Sequence, residues 1–263
     1  MNKSLRKILK HRKSYHSQDG EDGIVEYILE QLPHASKWCV EFGAWDGQYL
    51  SNTLHFVSGK GFSSVLIEAD PIKFETLKER MKPYSNCYCI NALVEDSGPN
   101  RLDLLLSKTP IPKSFDLLSI DIDGDDYYVW ESIKHYTPSV VVIEINVRNK
   151  PDVERINIKG SELIGGISGT SILSMTKLAK KKGYSLIAQI GCNAIYVKKE
   201  FSKLFYENEP SPSDVFLYEG HKMYELNYEE VETLGLLKVL IWFLKKKLYK
   251  PIAFWRSNWE KNK

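Results

Sequence analysis

WCVEFGAWDGQYLSNT, residues 38–53, opens as an apolar run, turns through two glycines and continues into a segment of helical character. The run WCVEF closes on an acid, Glu41, and the turn carries Gly43 and Gly47. In open α/β sheets ligands bind outside the carboxyl ends of the strands, where the first strand, its turn and the next helix form a cradle. Glycine lets backbone approach a ligand with no Cβ in the way. A carboxylate at that tip can accept hydrogen bonds, directly or through water. The spacing E-F-G-A-W-D-G lacks the middle glycine of the dinucleotide pattern G-x-G-x-x-G, so the pair also reads as an ordinary strand-to-helix turn.

Outward from this stretch, apolar runs alternate with amphipathic ones. SQDGEDGIVEYILEQLP reads as a helix with a capped, acidic start, and Pro33 stops it. WCVEF is a strand and YLSNTLHFVS a helix; SSVLIEAD is a strand and PIKFETLKERMKPY a helix with Pro in its first turn. CYCINALV, RLDLLLSK, FDLLSIDID, YYVWESIKHY and SVVVIEIN continue the alternation of strand and helix. SILSMTKLAKKKG is a helix ending at Gly, and YSLIAQIG and CNAIYVKK are two strands separated by a short turn. Several strands are apolar throughout, which is the pattern of a parallel sheet covered on both faces. The last two strands are too close in sequence to pair other than antiparallel. The expected fold is α/β, a mostly parallel Rossmann-like sheet with a reversed final strand and helices on both faces. That outline resembles the class I methyltransferase fold.

The composition agrees with a folded domain: 263 residues, 43% hydrophobic and 12% aromatic. A net charge of +2 does not argue for nucleic acid. Both ends are locally basic and suit an anionic surface, or are simply solvated. The four cysteines, Cys39, Cys87, Cys89 and Cys192, lie in or beside apolar runs and read as packed thiols of a reducing, cytoplasmic compartment. The N-terminus has no long apolar core of a signal peptide.

The second strand sharpens the reading. VLIEADP carries Glu68, about twenty residues beyond the glycine turn, where an acid can hold both ribose hydroxyls of an adenosine ligand. NAD and S-adenosylmethionine (SAM) share that ribose. VEFGAWDG, LIEADPIKFETL, DLLSIDIDGDDYYVWESI and VVVIEIN, preceded by SQDGEDGI, together resemble the FkbM-like group of SAM-dependent methyltransferases over about residues 17–199. The resemblance implies that Glu41, Gly43 and Gly47 form the SAM loop and that Glu68 binds the ribose. It implies that Asn91 or Ala92 borders the adenine, and that Asp121 and Asp123 face the methionine part or the acceptor. It places His16 near the cofactor mouth. It also implies O-methylation of a hydroxyl on a sugar or glycan-type acceptor.

IDIDGDDYY places Asp121 and Asp123 on one face of a strand, with Asp125 and Asp126 after the glycine. Carboxylates this close repel unless something positive sits among them. Three readings compete. Asp121 or Asp123 meets the cationic end of SAM or acts as general base. Alternatively Asp121 and Asp123 hold Mg²⁺, with Glu144 or Asn146 completing an oxygen shell. Asp125 and Asp126 read better as the acidic start of the next helix. Further candidates for the base are Glu144 and His16, while His55 reads as a packed helix histidine.

Residues 1–35 read as a basic segment with a helix, 36–200 as the SAM-binding domain and 201–263 as a C-terminal extension. TLGLLKVLIWFLKKKLYKPIAFWRSNWEKNK is too short in its apolar part to span a bilayer. Its lysines and tryptophans suit a peripheral membrane helix at the inner face, or a helix packed on protein. Two other functions fit parts of this pattern: a non-catalytic scaffold of the same fold, and a nicotinamide-dependent oxidoreductase. The acids at three strand tips count against the first. The missing glycine and terminal hairpin count against the second.

Overall fold

A computed structural model describes residues 3–33, 35–122, 124–160 and 169–217. Seven strands form one sheet in the order β3-β2-β1-β4-β5-β7-β6. They are β1 Trp38–Phe42, β2 Ser63–Glu68, β3 Cys87–Asn91, β4 Ser114–Ile120, β5 Thr137–Glu144, β6 Tyr184–Ile190 and β7 Asn193–Lys198. β1 to β5 are mutually parallel, and β7 runs antiparallel between β5 and β6. This is the α/β sheet with a reversed last strand expected from the sequence, and it is the class I methyltransferase arrangement.

The helices are α1 Lys3–Leu9, α2 Glu21–Gln31, α3 Leu54–Gly59, α4 Pro71–Met81, α5 Leu102–Leu106, α6 Asp126–Ser132, α7 Ile172–Lys181 and α8 Pro212–Val215. β1, β2, β4 and β5 bury nearly every side chain on both faces, which is why they read as unbroken apolar runs. β3 is one of the two edge strands, and its side chains are half covered. Leu5, Ile8, Ile24, Val25 and Ile28 of α1 and α2 enter the same core as the sheet.

Two expectations are corrected. The helix expected from Tyr49 begins only at Leu54, because residues 51–53 are held as a loop by side-chain bonds to Glu41. The start of α2 has no side-chain cap: Gly20 takes the N-cap position with φ 91°, and the acids after it are buried in longer-range contacts. The cysteines pack as expected: all four are free, Cys39 is fully buried, and Cys87 Sγ accepts from Ser64 Oγ at 2.9 Å. No helix among the described residues is long and apolar enough to cross a membrane. The C-terminal membrane-helix expectation falls on residues 218–263, outside the described residues.

Candidate cofactor and acceptor site

The parallel strands point their carboxyl ends to one edge, and β7 starts there because it runs the other way. Glu68, Asn91, Asp121, Glu144 and Asn193 therefore gather along a single rim, although they are spread over about 125 residues of chain.

Glu41 lies beneath this rim rather than on it. The residue is 5% exposed. It accepts from Thr53 Oγ1 at 2.6 Å, Ser51 Oγ at 2.7 Å and the Asn52 backbone N–H at 2.8 Å. Burial pushes its pKa up, and these three bonds pull it part of the way back. Glu41 thus braces the loop that follows β1.

The turn above it depends on glycine. Gly43 has φ 76°, and a Cβ there would sit 1.8 Å from the Asp121 carbonyl oxygen. The backbones of the β1 and β4 tips are thus in direct contact, with no room for a side chain between them. Gly47, φ 75°, would press a Cβ to 2.6 Å from Leu77 and 2.9 Å from Met81, so it lets α4 close against the loop. Between the two, Trp45 holds φ 50° without being glycine, a strained position fixed by its surroundings.

Glu68 completes the corner. One carboxylate oxygen accepts from the Trp45 N–H at 2.8 Å, the other from the Asp70 N–H at 2.8 Å. Two N–H donors occupy half of the lone-pair sites of a carboxylate, which leaves capacity for two hydroxyls of a diol. Asn91 Nδ2 donates to the Glu68 carbonyl at 2.8 Å and the Ala69 carbonyl at 3.2 Å, tying the β3 tip to this corner.

The acidic stretch after β4 divides as follows. Asp126 is buried and accepts from the Ile122 N–H at 3.0 Å and the Gly124 N–H at 2.9 Å, so it folds the turn before its helix. Asp125 accepts from the Gly160 N–H at 3.0 Å and anchors the loop that follows β5. The repulsion expected among these acids is relieved by backbone donors. Asp121 is exposed at the rim. Asp123 lies outside the described residues. Asn146 Oδ1 accepts from the Arg148 N–H at 3.0 Å and shapes the turn after β5. Among the described residues no group of three or more His, Cys, Asp or Glu is placed to hold a metal ion.

The opposite wall is the polar segment that precedes α2. Asp22, fully buried, accepts from the backbone N–H groups of Tyr15, His16, Ser17 and Gly23 and from Ser17 Oγ at 2.7 Å. It curls residues 14–23 into a strap. Ser17 bridges to Leu50 in the loop after β1, and Glu21 accepts from Asn193 Nδ2 at 2.9 Å at the start of β7. The strap therefore reaches from β1 to the β6–β7 turn across the carboxyl edge and carries His16, half-buried, with it. The family resemblance set His16 and the segment after it near the cofactor mouth, but no local rule says which distant donors the two adjacent acids at the helix start meet.

His55 is the packed histidine expected. It stacks on Tyr15, ring centroids 3.7 Å apart, and its Nε2 lies 3.2 Å from Glu26, close enough for a charge contact but misaligned for a hydrogen bond.

Acidic side chains stand near the turn between β6 and β7. Burial first, then Glu144, Asp121, Glu21 and Asp19, push the Cys192 thiol up; these four carboxylates come from three segments of the chain, the strap and the tips of β4 and β5. Register places Glu144 directly opposite Asn193. Such a rim suits a ligand that carries positive charge.

No family model matches the chain, and no curated protein is similar to it. Solved structures of similar shape include the N-terminal domain of EvdMO1 in the presence of SAH and D-fucose. It has TM-score 0.45 and 12% identity, with 74% of this chain and 94% of that one covered. An O-methyltransferase from Bacillus cereus in complex with SAH has TM-score 0.44 and 14% identity, covering 74% and 90%. A SAM-dependent methyltransferase from Aquifex aeolicus has TM-score 0.43 and 11% identity, covering 73% and 96%. The chemical reading rests on the residues above.

Proposed function

We propose that the chain is a SAM-dependent methyltransferase of the FkbM-like group that methylates a hydroxyl on a sugar or glycan-type acceptor. The observation that carries this reading is the Glu68 corner. A buried carboxylate at the β2 tip is held by two backbone N–H groups, with two acceptor sites left beside a glycine turn that admits no side chain. That is the recognition a ribose diol needs.

Bound there, SAM supplies an activated methyl group on a cationic sulfur. The chain's part is to hold and align the acceptor hydroxyl and to receive its proton. Glu144 at the β5 tip, Asp123 after β4 and His16 on the strap are the candidate bases. Asp121 and its neighbouring acids favour the charged cofactor. Asn91 borders the adenine side, next to the corner it fastens.

Calorimetric titration of the purified protein with SAM, SAH and NAD tests the reading. Micromolar binding of SAM and SAH without NAD supports it, and a folded protein that binds neither SAM nor SAH overturns it. Transfer of labelled methyl to a panel of free and linked sugars then tests the acceptor class.

A further inference from the structure

The two edge strands of the sheet differ in how they are protected. β6 buries all seven of its side chains, and Tyr206 Oη donates to its Ile187 carbonyl at 2.7 Å. β3 is only half covered, and its residues Cys87, Tyr88, Cys89, Ile90 and Asn91 include no charge and no proline. It runs in unbroken register with β2, with no bulge. Charged side chains, prolines and bulges are the devices that keep an open edge from pairing, and β3 has none of them.

The backbone of β3 alternates in direction. The Ser64 N–H donates to the Asn86 carbonyl at 3.0 Å and the Ala92 N–H to the Glu68 carbonyl at 3.1 Å, so residues 86, 88, 90 and 92 turn their polar groups toward β2. Cys87, Cys89 and Asn91 turn theirs to the open side. The Cys87 N–H is taken by the Tyr84 carbonyl at 3.1 Å. Among the described residues nothing bonds to the Cys87 carbonyl, or to the N–H and carbonyl of Cys89 and of Asn91. The side chains alternate as well. Tyr88 and Ile90 share one face, where the Tyr88 ring lies 5.8 Å from the Trp38 ring and is still 38% exposed. Cys87, Cys89 and Asn91 share the other.

We propose that β3 pairs antiparallel with β3 of a second copy of this chain, about a two-fold axis at Cys89, so that two sheets become one. This register matches the free groups to each other. Each Cys89 N–H donates to the Cys89 carbonyl of the second copy, and each Asn91 N–H to its Cys87 carbonyl. The occupied Cys87 N–H is not called on, and only the Asn91 carbonyl stays with water. Tyr88 comes opposite Ile90 of the second copy and Ile90 opposite its Tyr88, an aromatic and β-branched pair on each side of the axis. A two-fold sets a strand against its own image, so a charge near the axis would face itself; the neutral side chains of β3 meet that condition. An unrelated strand would not require such self-matching. The pairing does not depend on the methyltransferase reading.

Sedimentation velocity of the full chain and photo-crosslinking from position 88 test the pairing. The crosslinking variant is Tyr88→p-benzoylphenylalanine, which keeps an aromatic ring at an exposed position. The expected result is a dimer that irradiation links covalently, with the link mapped to residues 87–91 of the second copy. Tyr88→Lys is expected to weaken the dimer about tenfold, through loss of the Tyr88–Ile90 contact on both sides of the axis. A monomeric parent overturns the proposal, and so does a link formed within one chain to residues 218–263. A dimer that links elsewhere, or that a folded Tyr88→Lys variant leaves as tight as the parent, overturns it too. The crosslinking decides the matter on folded protein even where Tyr88→Lys lowers stability, and neither readout involves SAM or SAH.

Discussion

The Trp45 backbone N–H donates to the Glu68 carboxylate at 2.8 Å, which joins the turn after β1 to the tip of β2. The residue proposed to hold the ribose is therefore also the one that fixes the strained turn of the cradle. Binding and local order are therefore coupled at this corner.

Glu68→Gln keeps one acceptor oxygen and the size of the side chain. Its NH2 must face one of the two backbone N–H donors, so it is expected to cost about 1 kcal/mol of stability and to weaken SAM and SAH binding by about tenfold, on the order of the loss of one hydrogen bond to a charged group. Glu68→Ala removes both bonds and is expected to cost about 1–2 kcal/mol of stability as well. Calorimetry and urea unfolding on both variants check this. Unchanged affinity in both overturns the ribose assignment.

Glu41 gives a pH prediction. Burial raises its pKa above the ordinary 4.5 despite three donors. The folded state therefore holds this proton more tightly than the unfolded state. The associated stability is fully present below pH 4.5 and is lost as pH rises through the folded-state value. Glu41→Gln should flatten the urea midpoint from pH 4.5 up through the folded-state value while the loop stays formed, since the hydroxyls of Ser51 and Thr53 can reorient. Glu41→Ala should instead cost about 2–3 kcal/mol by leaving buried donors unpaired. Parallel pH slopes for parent and Gln variant would refute this.

Gly43 and Gly61 make a controlled pair. Both have positive φ, 76° and 71°, but a Cβ on Gly43 strikes the Asp121 carbonyl at 1.8 Å while one on Gly61 meets nothing within 4 Å. Gly61→Ala should cost about 1 kcal/mol from backbone strain alone. Gly43→Ala should cost more than about 3 kcal/mol and abolish SAH binding, because the β1 and β4 tips must separate. Equal losses in thermal unfolding would mean the close approach is not required.

Glu26 anchors the strap. Burial alone would raise its pKa, but Lys60, His55 and Tyr15 bring it down to about 2. Its contribution is present above pH 4.5 and is lost as pH falls through about 2. Glu26→Gln should remove that part of the acid dependence and increase hydrogen exchange at Tyr15 to Ser17. Exchange identical to the parent would show that the strap is held elsewhere, by Asp22.

The strands were legible because burial on both faces writes itself as runs such as VVVI and SVLI. α4 was legible because Asp70 caps it locally, accepting from the Ile72 and Lys73 N–H groups, with Pro at its first turn. α3 was misplaced because its start is set by Glu41, ten to twelve residues away and underneath. The acids of IDIDGDDYY looked like one cluster in sequence. In space Asp125 and Asp126 turn onto backbone N–H groups of different segments.

The sequence by itself determined the order of elements, the reversed final strand and the positions of Gly43 and Glu68, because each follows from local spacing or from continuous burial. Only the tertiary structure decided what the acids do. It placed Glu41 under a loop, Asp22 at the hub of a strap, and Glu21 beside Asn193, 172 residues away. A carboxylate is an acceptor wherever it stands. Which donors meet it depends on contacts that form when the sheet closes, and nothing in a neighbouring residue encodes them.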